Sequence, residues 1–455
     1  MILIYYINQE PKHSTSSCEL MTLWTATSRI SSSINESRPV HRLPPEVLAA
    51  IFTCYQRLES TKRYKWFTWV RLMSVSHRWR STILSFPSLW SVIRLGGEIS
   101  SEGIRALLER SRGHPLHVIV LRSGFSTPKS IRYSHALDAS AHTHRIQKLL
   151  LYLDLVEDDV KRIVRIFSKP AQNLAHLELA GYSPHDMTTP FPDLFGLEFP
   201  KLRVLEVAGI GAWPKVVGTN LTHITFNTSL NPWVLQDCIP YSPNLKVLEI
   251  RGVSNLTMPN FSRWQRIALP PGVCLTIGRT PLCSHILMLF ILPHDAHIRA
   301  CPSIIAMPDR PLLSYILPFE TSNLHNLGAL TRLHAKARID LYAYVALELE
   351  CFSLDRPAFE VNVEHSFDLK TMDEEEASPV LWFLGNLKQI ALEGLEELRL
   401  DGFVGRLAPQ EAELLAFLKR LPALKRLITT NSNEKRLRSA LDILGYPAVV
   451  VRVEG

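Results

Sequence analysis

A short pattern, Leu-x-x-Leu-x-Leu with other apolar residues allowed at each apolar position, recurs along the chain and constrains its fold more than any other feature. Its copies are Ile146, Leu149, Leu151; Leu174, Leu177, Leu179; Leu202, Leu205, Val207; Leu221, Ile224, Phe226; and Leu245, Leu248, Ile250. Two more stand near the end: Leu395, Leu398, Leu400, and Leu424, Leu427 followed by Thr429. The first five begin 28, 28, 19 and 24 residues apart, and the last two 29. These intervals lie in or just below the range of leucine-rich repeats. In each copy the last two apolar positions alternate, so they enter a core from a short strand, and the first packs where the strand begins. A glycine stands two residues after the last apolar position at Gly181, Gly209, Gly252 and Gly402. Glycine there lets the chain turn in the left-handed region. Each copy leaves an apolar edge that only the next can bury.

The pattern predicts an irregular leucine-rich-repeat-like solenoid over residues 100–455, of α/β class, with a largely parallel curved sheet. Between copies, 155–167, 374–390, 409–421 and 433–444 carry helical stripes, and Val449–Val453 reads as a last strand. Ser100–Arg112 reads as a helix and Leu116, Val118 and Val120 as a strand. Residues 184–200 and 259–271 are punctuated by proline. The proline-rich middle, 279–318, has no clear pattern; within it Ile286–Leu292 reads as a buried strand, and 341–363 resumes the alternation of a degenerate repeat.

Side chains between the last two apolar positions point away from the core. That column reads Leu150, Glu178, Glu206, Thr225, Glu249, Arg399 and Ile428. The recurring Glu178, Glu206 and Glu249 are candidate contacts for a basic segment of a partner. Solvation is the plainer account of them, and Arg251 stands close enough to neutralise Glu249 internally.

Upstream, His41–Val92 carries two further helical stripes. Leu43 precedes Pro44-Pro45, and proline suits a first helical turn. Glu46 follows where the helix dipole favours a carboxylate. Val47, Leu48, Ile51, Phe52 and Tyr55 form one apolar face, and Leu72, Val75, Trp79 and Ile83 another, before Pro87, Leu89 and Trp90. The stretch has eight Lys/Arg against two acids, so it holds +6 of the chain's net +7.

In order and spacing, Leu43-Pro44-Pro45-Glu46-Val47-Leu48, Ile51-Phe52, Val75-Ser76, Trp79-Arg80 and Pro87-Ser88-Leu89-Trp90 resemble the F-box, over about a ninth of the chain. Ser76 stands where many members carry Cys, and 56–66 is an insert. The resemblance implies a small helical module over 41–95 that docks on the adaptor subunit of SCF-type cullin–RING ubiquitin ligases, and through it on a cullin. Leu43, Pro44, Val47, Leu48 and Ile51 would make the adaptor contact. Phe52, Leu72, Val75, Trp79, Ile83, Leu89 and Trp90 would hold the module together. Repeats beside an F-box resemble the leucine-rich-repeat F-box proteins, in which the solenoid holds a protein substrate for ubiquitin-dependent degradation. The chain would then be a non-catalytic substrate adaptor. A repeat scaffold outside ubiquitin transfer, or an enzyme with its site in the middle of the chain, are the other readings.

Residues 1–40 are rich in Ser and Thr with little periodicity and read as a disordered leader. Seven scattered cysteines without a C-x-x-C pair argue against a disulfide framework or a zinc site, and for a cytoplasmic or nuclear protein. No apolar run is long enough to span a membrane. The local basicity fits an acidic protein partner better than nucleic acid. There is no G-x-S-x-G, Walker loop or G-x-G-x-x-G, and no cofactor is expected. His294 with His297, and His142 with His144, read as loop pairs rather than metal ligands, and Asp373–Glu376 as a solvated helix start.

Overall fold

Alternating apolar residues put the repeat copies into strands. The computed structural model describes residues 38–60, 68–95, 101–120, 141–154, 165, 167–182, 194–197, 199–208, 220–227, 235–236, 238–252, 265–278, 280–302, 316–318, 321–328, 330–339, 345–353, 356–365, 390, 392–402, 411–429, 434–446 and 448–453. The chain divides into two compact units, 1–178 with 194–201, and 179–193 with 202–455. The leader expected over 1–40 lies outside the described residues up to 37, as does the helix expected over 374–390 up to 389 and most of that over 155–167.

The first unit opens with helices. A 3-10 turn at Pro39–Arg42 leads into α1 (Pro45–Ser60), a second at Thr68–Ser74 into α2 (His77–Ser85), and a third at Pro87–Trp90 into β1 (Val92–Leu95). The single stripe expected through Leu72, Val75, Trp79 and Ile83 is therefore split between two helical pieces. The break falls at Ser76, whose backbone is extended and whose hydroxyl accepts the Trp79 N–H at 3.2 Å. This N-cap starts α2 afresh. After α3 (Ser101–Arg110), β2 (Leu116–Val120) pairs in parallel with β1 and with β3 (Ile146–Asp154). The Ala175 N–H then donates to the Gln147 carbonyl at 2.8 Å, bringing the start of β4 (His176–Tyr182) alongside β3.

The second unit carries most of the sheet. In chain order its strands and helices are β5 (Val204–Ala208), β6 (His223–Asn227), β7 (Val247–Arg251), β8 (Ile267–Ala268), β9 (Cys274–Gly278), α4 (Cys283–Met288), β10 (Phe290–Ile291) and β11 (His297–Cys301). Then come β12 (Arg332–Ile339), β13 (Val345–Ser353), β14 (Arg356–His365), β15 (Glu397–Asp401), α5 (Glu411–Leu418), β16 (Arg426–Thr429), α6 (Glu434–Ile443) and β17 (Val450–Val453). Strand order is β5-β6-β7-β9-β11-β14-β13-β12-β15-β16-β17, parallel except around β13. The class is α/β with a large, mostly parallel sheet.

The repeat register is visible in the core. Leu205, Ile224, Leu248, Leu275, Ile298, Phe359, Cys351, Leu333, Leu398 and Leu427 sit side by side across the strands and are all buried. Every apolar position of the seven copies is buried, in both units, and so is Thr429. Gly252 (φ 62°) and Gly402 (φ 75°) take the left-handed backbone at the turn, which only glycine adopts without strain. One further copy of the pattern, Leu330, Leu333 and Ala335, runs into β12, and all three are buried. Val273, before β9, and Leu275 and Ile277 within it are buried as well.

Two expectations are corrected. The apolar run 286–292 is mostly buried but is not one strand: α4 takes Ile286–Met288, and Phe290–Ile291 forms a two-residue strand pairing in parallel with β8. Seven consecutive apolar residues have no period to separate helix from strand. The alternation at 341–363 is not a degenerate parallel copy. Here β13 pairs antiparallel with both β12 and β14. Ser353 faces Arg356, so two residues join β13 to β14, far too few for a parallel crossover. Alternation is common to both kinds of sheet, and connection length decides between them. Among the described residues no helix is long and apolar enough to cross a membrane.

Candidate functional site

The N-terminal helices bury one apolar set and expose another. Inside lie Leu48, Ala49 and Phe52 of α1, Trp69, Ile83 of α2, Leu89 and Trp90. Trp69 and Trp90 meet edge to face at 5.2 Å between ring centroids, and Phe52 meets the half-buried Trp79 at 5.0 Å. Such pairs add to simple burial. Leu72 and Val75 are half-buried beside them. Two buried polar side chains of this interior are paired. The Trp90 indole donates to the Ile83 carbonyl at 2.8 Å, and the buried Gln56 amide donates to the Leu89 carbonyl at 2.8 Å. The Arg78 guanidinium donates to the carbonyls of His41 and Leu43, tying the first turn to α2. Arg110 of α3 lies 4.5 Å over the Trp90 ring.

The other side of α1 is exposed among the described residues. Val47 is 42% exposed, Ile51 46%, Tyr55 37% and Leu58 69%. Their spacing of four, four and three residues puts them on one helix face. Half of the large exposed apolar side chains among the described residues fall on this helix. Pro44 is exposed beside them and Leu43 is half-buried. Leu48 does not belong to this face. Expected among the adaptor contacts, it stands one turn before Phe52 and is fully buried with it. Leu58, three residues past Tyr55, joins the face; its signal was the continued helical spacing.

The strands treat their outward side chains differently. In register, Glu206, Thr225, Glu249, Thr276, Arg299, Glu360, Glu350, His334, Arg399 and Ile428 form one outward row across the second unit. Several of its charges are matched within the second unit. Glu249 is 2.7 Å from Arg251, and Glu360 2.9 Å from Arg299. His334 lies between Glu350 at 3.3 Å and Asp401 at 2.9 Å, and Arg399 reaches Asp401 at 2.7 Å. Burial raises the Asp401 pKa, but the hydrogen bonds and charges of Arg399 and His334 leave it below the usual carboxylate value. Of the three recurring glutamates, Glu178 belongs to the first unit, where it accepts the Tyr152 hydroxyl at 2.7 Å. Glu206 and Glu249 are separated by the strand carrying Thr225. Arg251 thus neutralises Glu249 internally, one of the two accounts the sequence left open.

His294 and His297 meet different partners. His294 donates from Nδ1 to the His325 carbonyl at 3.0 Å, whereas His297 lies 3.7 Å from Glu360. His142 and His144 have ring centroids 6.4 Å apart. Asp373–Glu376 lies outside the described residues. No known protein-family model matches the chain, and no curated protein matches it.

Proposed function

We propose that this chain is a non-catalytic substrate-recognition subunit of an SCF-type ubiquitin ligase, docking on the adaptor through the outward face of α1 and holding a protein substrate on a repeat solenoid. One observation supports this above others. Among the described residues, Val47, Ile51, Tyr55 and Leu58 form an exposed apolar face on a helix whose opposite side is already packed. A small module gains nothing by exposing four large apolar side chains in a line unless a partner covers them. The motif LPPE at Leu43–Glu46 heads the same helix, and the local excess of positive charge suits an acidic adaptor. The repeat strands supply the second half of the reading, since a long row of outward side chains is a surface on which a protein partner can lie.

The test is capture of the full-length chain by the purified adaptor. Val47→Asp combined with Ile51→Asp is expected to weaken capture at least about tenfold, a loss of about 1.4 kcal/mol or more. The thermal midpoint should stay within a few degrees, because both side chains are exposed. Undiminished capture by the folded double variant would reject the reading.

A further inference from the structure

Three strands distant in sequence bring a thiol, an imidazole and a carboxylate together on the outward face of the second unit. Cys274 of β9 stands directly opposite His297 of β11, and β14 next to it carries Glu360. The Cys274 Sγ is 3.9 Å from His297 Nδ1. The other ring nitrogen, Nε2, is 3.7 Å from Glu360 Oε2, and Arg299 Nε donates to that same oxygen at 2.9 Å. Nε2 is a buried atom with no hydrogen bond of its own. Thiol, imidazole and carboxylate stand in the order in which a base takes a proton from a nucleophile while a third group orients the base.

The protonation states fit. Burial, helped by Arg299, lowers the His297 pKa against the opposing pull of Glu360, so the ring is neutral at pH 7. With its proton on Nε2, toward Glu360, the Nδ1 lone pair faces the thiol. Cys274 is half-buried, open to a small reagent. The neighbouring charges, Glu360 with Arg299, cancel, which favours a small neutral electrophile over an ionic one.

We propose that Cys274 is a peroxide-reactive thiol, with His297 as its proton acceptor and Glu360 as a positioning residue. The thiol proton passes to Nδ1 as sulfur attacks one peroxide oxygen. The S–O bond forms and the O–O bond breaks. The departing oxygen takes the proton from the imidazolium and leaves as water. Sulfur is oxidised by two electrons, the peroxide is reduced by two, and the product is the Cys274 sulfenic acid. Glu360 stabilises the imidazolium while it exists. Other cysteines serve as references within the same chain. Cys54 and Cys301 are exposed, whereas Cys283 and Cys351 are buried, with burial pushing the Cys283 thiol up to about 12 and raising that of Cys351 as well.

The experiment treats the full chain with limiting hydrogen peroxide at pH 7, traps sulfenic acid with dimedone and quantifies each cysteine by peptide mass spectrometry. Cys274 is expected to be labelled about tenfold faster than Cys54 or Cys301, despite its lower exposure. His297→Gln should remove most of that advantage, in line with the size of general-base effects. Glu360→Gln should keep the reaction but move its pH profile, which a purely structural role would not do. Equal labelling of Cys274 and the exposed cysteines in the unaltered protein overturns the proposal, whatever the variants do.

Discussion

Helix α1 and the strands of the second unit handle apolar and charged side chains in opposite ways. The helix is apolar on two sides: Leu48 and Phe52 point into the module, while Val47, Ile51, Tyr55 and Leu58 point into solvent. The strands are apolar on one side only. Their inward rows are buried from Leu205 to Leu427, and several charges of their outward row are met by partners on the same surface. A surface that satisfies itself is complete alone, whereas an uncovered apolar face is incomplete. The difference separates an exposed apolar face from one that carries its own counter-charges.

The comparison breaks first at the largest effect. Leu248→Ala removes a fully buried side chain from the middle of an inward row and is expected to cost about 2–5 kcal/mol in urea unfolding. Ile51→Ala, a truncation of similar size on the outward face of α1, is expected to change stability by no more than about 0.5 kcal/mol. Comparable costs at the two positions would show that the α1 face is packed in the free protein, and the contrast would fail.

Much of this organisation was legible before any coordinates. The strand positions were, because a period of two with a leading apolar residue and a trailing glycine leaves few alternatives; Leu177, Leu205 and Leu398 are buried for that reason. Helices α5 and α6 and strand β17 fall where periodicity put them. What failed to show was set by connections and caps rather than by pattern. Ser76 splits a continuous stripe because its hydroxyl competes for the Trp79 N–H. The two-residue link after Ser353 turns an apparent repeat into a hairpin. Leu48 changed sides because adjacent helix positions differ by about 100°, and an apolar run wider than one face cannot say which residues point inward. The meeting of Cys274, His297 and Glu360 had no sequence signal at all, since register between distant strands creates it.

Acid sharpens the contrast between the two units. On the first, His117 is pushed down to about 4 by burial first, then by Lys148, His176 and Arg94. Its folded state binds a proton more weakly than the unfolded chain does. That contribution to stability is therefore full above the ordinary value of 6.5 and is lost as pH falls from 6.5 toward 4, by at most about 3 kcal/mol. Asp401 of the second unit has a lowered carboxyl pKa, so its contribution persists through that window and fades only as pH drops below the ordinary carboxylate range. Urea unfolding at steps between pH 7 and pH 4 should show a decline that His117→Asn flattens and Asp401→Asn does not. A decline untouched by His117→Asn would mean the proton uptake lies elsewhere.

The smallest effect tests whether the outward row is self-sufficient. The Arg251–Glu249 pair, with a 2.7 Å contact, is 54% exposed on the arginine side and 18% on the glutamate side. A pair this open to solvent contributes no more than about 1 kcal/mol, so neither Arg251→Gln nor Glu249→Gln should lower stability beyond that. Their effects on binding should differ in kind. Arg251→Gln leaves the Glu249 carboxylate without its cation, and the variant is expected to hold a lysine-rich test peptide more tightly at low salt, with the gain vanishing as salt screens it. The unaltered protein should hold that peptide no better than Glu249→Gln does. If it instead binds the peptide well and Glu249→Gln abolishes binding, Arg251 yields to an incoming cation, and the row is a docking surface like the face of α1 rather than its opposite.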